Sequence, residues 1–190
     1  MMGMEKDLLN TMNSNEEIIT LVDLDDEIIG YDTKDNIHKK GLLHRAFSIF
    51  IFNGNKMLLQ KRNENKYHSG GLWTNACCSH QRKKETLETA IHRRLLEELG
   101  FDCKLEECFT FVYRNQFTNN TCEYELDHVF VGEYSGELKP NFDEVSEVQW
   151  IDIGELKKSM VLDPRKYTTW FIISAPRLMK MKSESVKSDN

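Results

Sequence analysis

Gly70-Gly-Leu-Trp-Thr-Asn-Ala-Cys-Cys-Ser-His80 concentrates the most chemically distinctive residues of this chain. It joins a glycine bend, a strand, two adjacent thiols and an imidazole, just ahead of an acidic helix. On an extended strand alternate side chains share a face, so Cys78 and His80 project together and Ser79 turns away. A thiol is a proton donor, and a neutral imidazole is a metal ligand. The plainer reading is a buried strand whose cysteines pack as small hydrophobes. The residues around it decide between the two.

Downstream, residues 86–99 read as a helix. Leu87, Ile91, Leu95 and Leu99 recur every fourth residue and give it an apolar stripe. Glu85 and Glu88 favour its N-terminal dipole, and Gly100 is a natural stop. Upstream, residues 18–23 form a first strand followed by an Asp-Leu-Asp-Asp turn, and residues 30–41 are polar, carrying Lys34 and His38. Residues 44–52 are rich in strand formers, Asn53-Gly54-Asn55 signals a hairpin, and residues 56–62 return.

Beyond the helix, residues 107–116 and 121–134 form a second hairpin around Thr118-Asn119-Asn120. A further strand is expected at 145–151, with closing helices near 152–160 and 164–180. Residues 1–15 read as a loose tail and 183–190 as a frayed one. Between them lies one domain, 16–182, with its core at about 42–175. Strands, a central helix, more strands and then helices predict an α+β fold, layered α/β/α, with mixed and antiparallel sheets.

Composition narrows the function. A 190-residue chain fits one well-cored domain, and 39% hydrophobic with 29% charged residues describes a soluble protein. No apolar run approaches the roughly 20 residues needed to cross a bilayer. The acidic start lacks an apolar signal segment, so export is not expected. A net charge of −6 without a basic cluster gives no nucleic-acid track. Five cysteines, two of them adjacent, form neither a disulfide framework nor a zinc knuckle, which favours the cytoplasm. An anionic substrate therefore needs a local basic pocket.

In the helix, Arg94 and Glu98 lie one turn apart, so one side chain can face an anion and the other a cation. Glu123 and Glu125, two apart on a strand, present carboxylates on one face. The frame Ser79, Glu85, Arg93, Leu95, Glu97, Glu98, Gly100, Phe101 resembles the Nudix box, the loop–helix signature of enzymes acting on diphosphates. Ser79 replaces the opening glycine of that box, and Arg94 replaces a glutamate central to metal binding in Nudix hydrolases. Trp73-Thr-Asn-Ala-Cys-Cys-Ser-His80 then resembles the catalytic strand of the type I isopentenyl diphosphate isomerases, a Nudix branch with the same two departures. The resemblance runs from about Asp23 to Trp170.

That resemblance implies an isomerase converting isopentenyl diphosphate to dimethylallyl diphosphate by moving one proton and one double bond, without a redox cofactor. It gathers His38, His44, His80, Glu123 and Glu125 around a divalent metal (zinc, manganese or magnesium), a donor set of borderline character. Glu98 and the backbone oxygen of Cys78 would hold a magnesium ion that arrives with the diphosphate. Lys34, Arg62, Lys66 and Ser79 would grip the diphosphate, with Arg94 as an additional contact. Cys78 and Glu125 would transfer the protons, Tyr113 assisting Glu125, and the Trp170 face would stabilise positive charge in the alkene. His68, His92 and His128 are given structural roles only.

The implied partner is the small-molecule substrate; no nucleic acid, membrane or obligate protein partner is expected. Two rivals follow from the same residues. Retention of Glu97 and Glu98 fits a Nudix pyrophosphohydrolase on a nucleotide diphosphate, which Arg94, Cys78 and the histidine set oppose. A non-catalytic, metal-stabilised binding module would bind ligand without turnover.

Overall fold

The computed structural model describes residues 17–66 and 68–188. The tail expected at 1–15 lies outside the described residues. Among the described residues nine strands form one connected sheet, whose central member is β3, His44–Asn53. β1 (Ile18–Val22), β6 (Cys77–His80) and β4 (Lys56–Arg62) share one edge of β3, all antiparallel to it. The other edge is taken by β8 (Cys122–Glu133), parallel to β3 over its length. Outward from these lie β2 (Ile28–Thr33) on β1, β5 (Trp73–Thr74) and β9 (Val145–Asp152) on β4, and β7 (Glu106–Gln116) on β8.

β3 is buried on both faces, which explains its near-continuous apolar run. Phe50 and Phe52 pack with Trp170, Phe171 and Leu178 in one core layer. Phe47, Ile49 and Ile51 pack with Ile91, Leu95 and Leu99 in the other. The latter three belong to α2, Leu87–Leu99, whose Thr86 accepts a capping bond from the Thr89 amide. Leu95 is fully buried, so Leu95→Ala should cost roughly 2–5 kcal/mol. Gly100 ends α2 at φ 70°, and a Cβ there would come within 2.7 Å of the Lys139 Cβ. The helix thus stops because only glycine fits the turn. The layers are the expected α/β/α arrangement.

Differences from the sequence reading lie mainly at the two ends. Residues 30–41, read from sequence only as polar, complete β2 and form α1, Lys34–Lys40, capped by Thr33 and closed by Gly41 at φ 62°. Seven residues give too short an apolar pattern to show periodicity, yet Ile37 and His38 are buried. The first closing helix is α3, Ile153–Leu162, N-capped by Asp152. The second is split: Pro164–Lys166 makes a 3-10 turn, and α4 runs over Thr169–Ser188. The segment from Ser183, expected to fray, is helical through Ser188 as the last turns of α4. No helix among the described residues is long and apolar enough to cross a membrane.

Candidate active site and metal centre

The register around β3 assembles the site. His44 lies opposite Glu125 across the parallel β3–β8 pairing, and Ala46 lies opposite both Asp127 and His80. His38 arrives from α1, one turn of helix after Lys34. Donor atoms of His38, His44, His80 and Glu123 all fall within 4.8 Å of one another, every residue buried. Glu123 Oε2 is 3.2 Å from His38 Nε2 and 3.5 Å from His44 Nε2. Glu125, expected in the same set, stands at its edge, accepting from His80 Nε2 at 2.9 Å and lying 3.6 Å from His44 Nε2.

The donors fit a borderline divalent ion. His44 Nδ1 donates to the Leu42 carbonyl at 2.9 Å, which turns Nε2 toward the cluster. That nitrogen is buried and makes no hydrogen bond among the described residues, as does Nδ1 of His80. Such orphaned nitrogens around a carboxylate are what a metal ion satisfies. Electrostatics agree that the centre wants positive charge. Burial opposes charging of His44, but Glu123 and Glu125 override it and push the imidazole up to about 9. Burial dominates at His80 and holds it down to about 4. Despite their burial, Glu123 is kept well below the usual carboxylate range by His38, His44 and His68, and Glu125 is lowered by His44 and His80.

Beside this centre opens a cleft lined by basic, acidic and aromatic side chains and by the Cys78 thiol. Cys77 and Cys78 do point apart: Cys77 is fully buried in the α2 layer, and Cys78 faces the cleft. Burial pushes the Cys78 thiol up to about 12, against the lowering pull of Arg62. It is a neutral acid at neutral pH, with the Arg62 guanidinium 3.8 Å from sulfur to receive a thiolate. Across the cleft, Tyr113 donates to Glu125 Oε2 at 2.6 Å. Burial and the adjacent Glu125 raise that phenol well above its ordinary range, so it stays a donor. Trp170 caps the cleft, with Arg62 5.2 Å from its ring centroid.

Residues 42–171 match the NUDIX domain family. Over 157 residues the chain is 52% identical to isopentenyl-diphosphate Delta-isomerase 2 of Photorhabdus laumondii, spanning 82% of this chain and 89% of that protein. It is 48% identical over 157 residues to an isopentenyl-diphosphate Delta-isomerase of Burkholderia multivorans, with the same coverage. Isopentenyl-diphosphate Delta-isomerase 1 of Aromatoleum aromaticum is 44% identical over 170 residues, 89% of this chain and 96% of that one. The chain belongs to the isopentenyl-diphosphate Delta-isomerase family, within the Nudix proteins. Two solved structures share the fold alone. A Deinococcus radiodurans protein superposes with TM-score 0.63 at 17% identity, over 77% of this chain and 90% of that one. A MutT protein of Methanosarcina mazei gives 0.58 at 19%, over 74% and 95%.

In this isomerase family member the expected diphosphate residues Lys34, Arg62, Lys66, Ser79 and Arg94 all border the cleft. Ser79, expected to turn away, reaches its rim as well. Three of the long cations are held by acids, Lys34 by Glu17 at 3.4 Å, Lys66 by Glu144, and Arg94 by Glu97, Glu98 and Glu144, whereas Arg62 donates to the Cys78 sulfur and the His68 carbonyl. Glu98 also accepts from Gln60 Nε2 at 2.9 Å. Within the box, Glu85 receives two bonds from Arg93 and one from the Arg82 amide, so this pair braces the loop rather than the cleft.

Sequence reasoning missed Gln60, Glu144, Ser48 and Asp127. Ser48 donates to Asp127 Oδ2 at 2.8 Å, and burial beside Glu125 raises the Asp127 carboxyl well above its usual range. Asp127 continues the two-residue alternation of Glu123 and Glu125, a signal that was available. Of the three histidines set aside, the half-buried His92 pairs with Asp102 and Glu88, and the buried His128 with Asp26 and Glu107. His68 is different: it is buried in the site against Glu123.

Proposed function

We propose that this chain interconverts isopentenyl diphosphate and dimethylallyl diphosphate, with Cys78 and Glu125 exchanging protons with the allylic carbons. The observation that carries this is one cleft lined by both a thiol beside Arg62 and a carboxylate held by Tyr113 and His80. β6 and β8 sit on opposite edges of β3, so the two groups reach the cleft from opposite sides. One adds a proton to the terminal alkene carbon while the other removes one from the carbon nearer the diphosphate. In the reverse reaction each group takes the other duty, as reversibility requires.

Lys34, Arg62, Lys66, Ser79 and Arg94 bind the diphosphate and fix which carbon meets which group. The forked guanidinium of Arg62 suits a phosphate oxygen pair. Trp170 and Tyr113 close the cleft against water, and the Trp170 face stabilises positive charge developing at the tertiary carbon. His38, His44, His80, Glu123 and Glu125 would hold a zinc, manganese or magnesium ion, and Glu98 with the Cys78 carbonyl would hold magnesium carried by the diphosphate. Such an ion supplies a fixed positive charge that orients Glu125 and tunes its acidity. The five free thiols accord with a cytoplasmic, reducing setting.

The direct test is to incubate the pure protein and magnesium with isopentenyl diphosphate and follow formation of the dimethylallyl isomer. Absence of the isomer, with release of inorganic phosphate or pyrophosphate instead, would replace this reading with hydrolysis.

A further inference from the structure

His68 lies in the loop between β4 and β5, at residues 63–72, which also carries Lys66. Its ring is buried, with Nε2 2.5 Å from Glu123 Oε1 and Nδ1 3.2 Å from Ser69 Oγ. A carboxylate only accepts, so the Nε2 proton donates to Glu123 and the Ser69 hydroxyl can donate to Nδ1. The other Glu123 oxygen, Oε2, is the one that faces His38 and His44. Glu123 therefore has one oxygen for the histidine cluster and one for His68. The imidazole is itself fixed: it stacks on Phe117 at 4.4 Å and 16°, and meets the Trp170 ring edge-on at 6.2 Å. Its backbone carbonyl accepts from Arg62 Nη2 at 3.4 Å.

We infer that His68 is a positioning residue of the metal centre: its Nε2–H fixes the Glu123 carboxylate with Oε2 facing the histidines, tying that centre to the loop that bears Lys66. A carboxylate free to rotate would present either oxygen, or both, to the cluster. Donation to Oε1 removes that freedom before an ion arrives, which is how residues behind metal ligands raise affinity. The loop is built to hold this pose. Ser69 adopts φ 52°, a left-handed conformation unfavourable for a side chain. A Cβ at Gly70 would lie 2.5 Å from the Glu64 carbonyl oxygen, so the backbone folds back on itself there. The same residue thus contacts a metal ligand through its ring and a diphosphate-binding arginine through its carbonyl.

The inference rests on the metal-dependent reading above, and the test separates the two. Metal-stripped full-length parent, His68→Phe and His68→Gln are titrated with Zn2+ against a chromophoric chelator, and hydrogen exchange of residues 63–72 is followed with and without Zn2+. Phenylalanine keeps the stack on Phe117 and removes the donor; glutamine restores an N–H. The expected result is a roughly 10- to 100-fold weaker Zn2+ affinity in His68→Phe, substantially recovered in His68→Gln. Zn2+ should also slow exchange in the loop of the parent and much less in His68→Phe. A parent that takes up no Zn2+ would remove the metal centre itself. A parent that binds, with His68→Phe within twofold of it, would overturn the role of His68 alone. So would a loss that glutamine fails to recover, since it would mark the ring as packing. If His68→Phe does not fold, His68→Ala takes its place with the same expected and overturning results.

Discussion

His44 and Glu125 are direct partners across the parallel pairing of β3 and β8, although 81 positions separate them in the chain. That pairing puts an imidazole and a carboxylate at the same level of the sheet, 3.6 Å apart at their nearest atoms. β6 then places His80 two residues further along β3, opposite Ala46. The candidate centre is thus a property of strand register. A slip by one residue would send each of these side chains to the other face.

Removing two imidazoles should empty the centre without unfolding the domain. His44→Ala, His80→Ala protein is expected to lose its tightly bound metal and most isomerisation, because too few nitrogens remain. Metal analysis of the purified variant, with circular dichroism for the fold, checks this. One tightly held ion per chain with full turnover would mean that the ligands lie elsewhere.

The two thiols should separate cleanly. Cys78→Ser keeps shape but offers a far weaker acid and conjugate base, so turnover should fall about 100- to 10,000-fold with the fold retained. Cys77→Ser puts a hydroxyl into the apolar layer against α2, costing roughly 1–3 kcal/mol of stability and little catalysis. Rates and melting temperatures of both variants decide it. A near-normal Cys78→Ser enzyme would remove that sulfur from the reaction.

Arg62→Ala should weaken substrate capture by about 1.5–3 kcal/mol, the range for hydrogen bonds to charged groups. It should also slow turnover, since Arg62 lies within 3.8 Å of the Cys78 sulfur. Steady-state kinetics showing an unchanged KM and kcat would exclude it from the cleft.

Tyr113→Phe removes the 2.6 Å bond to Glu125 and little else. Losing a donor to a buried carboxylate costs about 1–3 kcal/mol, here expressed chiefly as a lower kcat with KM nearly unchanged. Equal kcat for the variant and the parent would show that Glu125 does not need the phenol.

Acid should loosen the start of β1. Burial alone would raise the Glu17 carboxyl, but Lys34 and Arg82 outweigh it and hold it at about 2. A carboxyl depressed in the folded state stabilises that state above its unfolded value, and the benefit disappears as pH falls through the folded one. Between pH about 4.5 and 2 the parent should therefore lose on the order of 1–3 kcal/mol through this group. Glu17→Gln should lack that component. Urea unfolding at several pH values measures it, and parallel curves for the two proteins would rule out a stabilising role for Glu17.

The chemistry of this chain was legible from Gly70 to Phe101. Strand alternation separates Cys77 from Cys78, four-residue spacing sets the buried stripe of α2, and both follow from local geometry that needs no partner. The box-like frame and its two departures at Ser79 and Arg94 are likewise local, and they carried the family resemblance. Residues 30–41 were not legible, because α1 is short and owes its place to Ile37 and His38 packing against the sheet. The same holds for His68. Nothing in its neighbourhood distinguishes it from His92 or His128; only the fold of the loop after β4 brings it to Glu123. Sequence by itself settled which residue types were available and which faces they shared along each element. Tertiary structure decided which elements lie side by side. Long-range strand pairing and loop closure are set by the summed burial of two core layers, which no local pattern encodes.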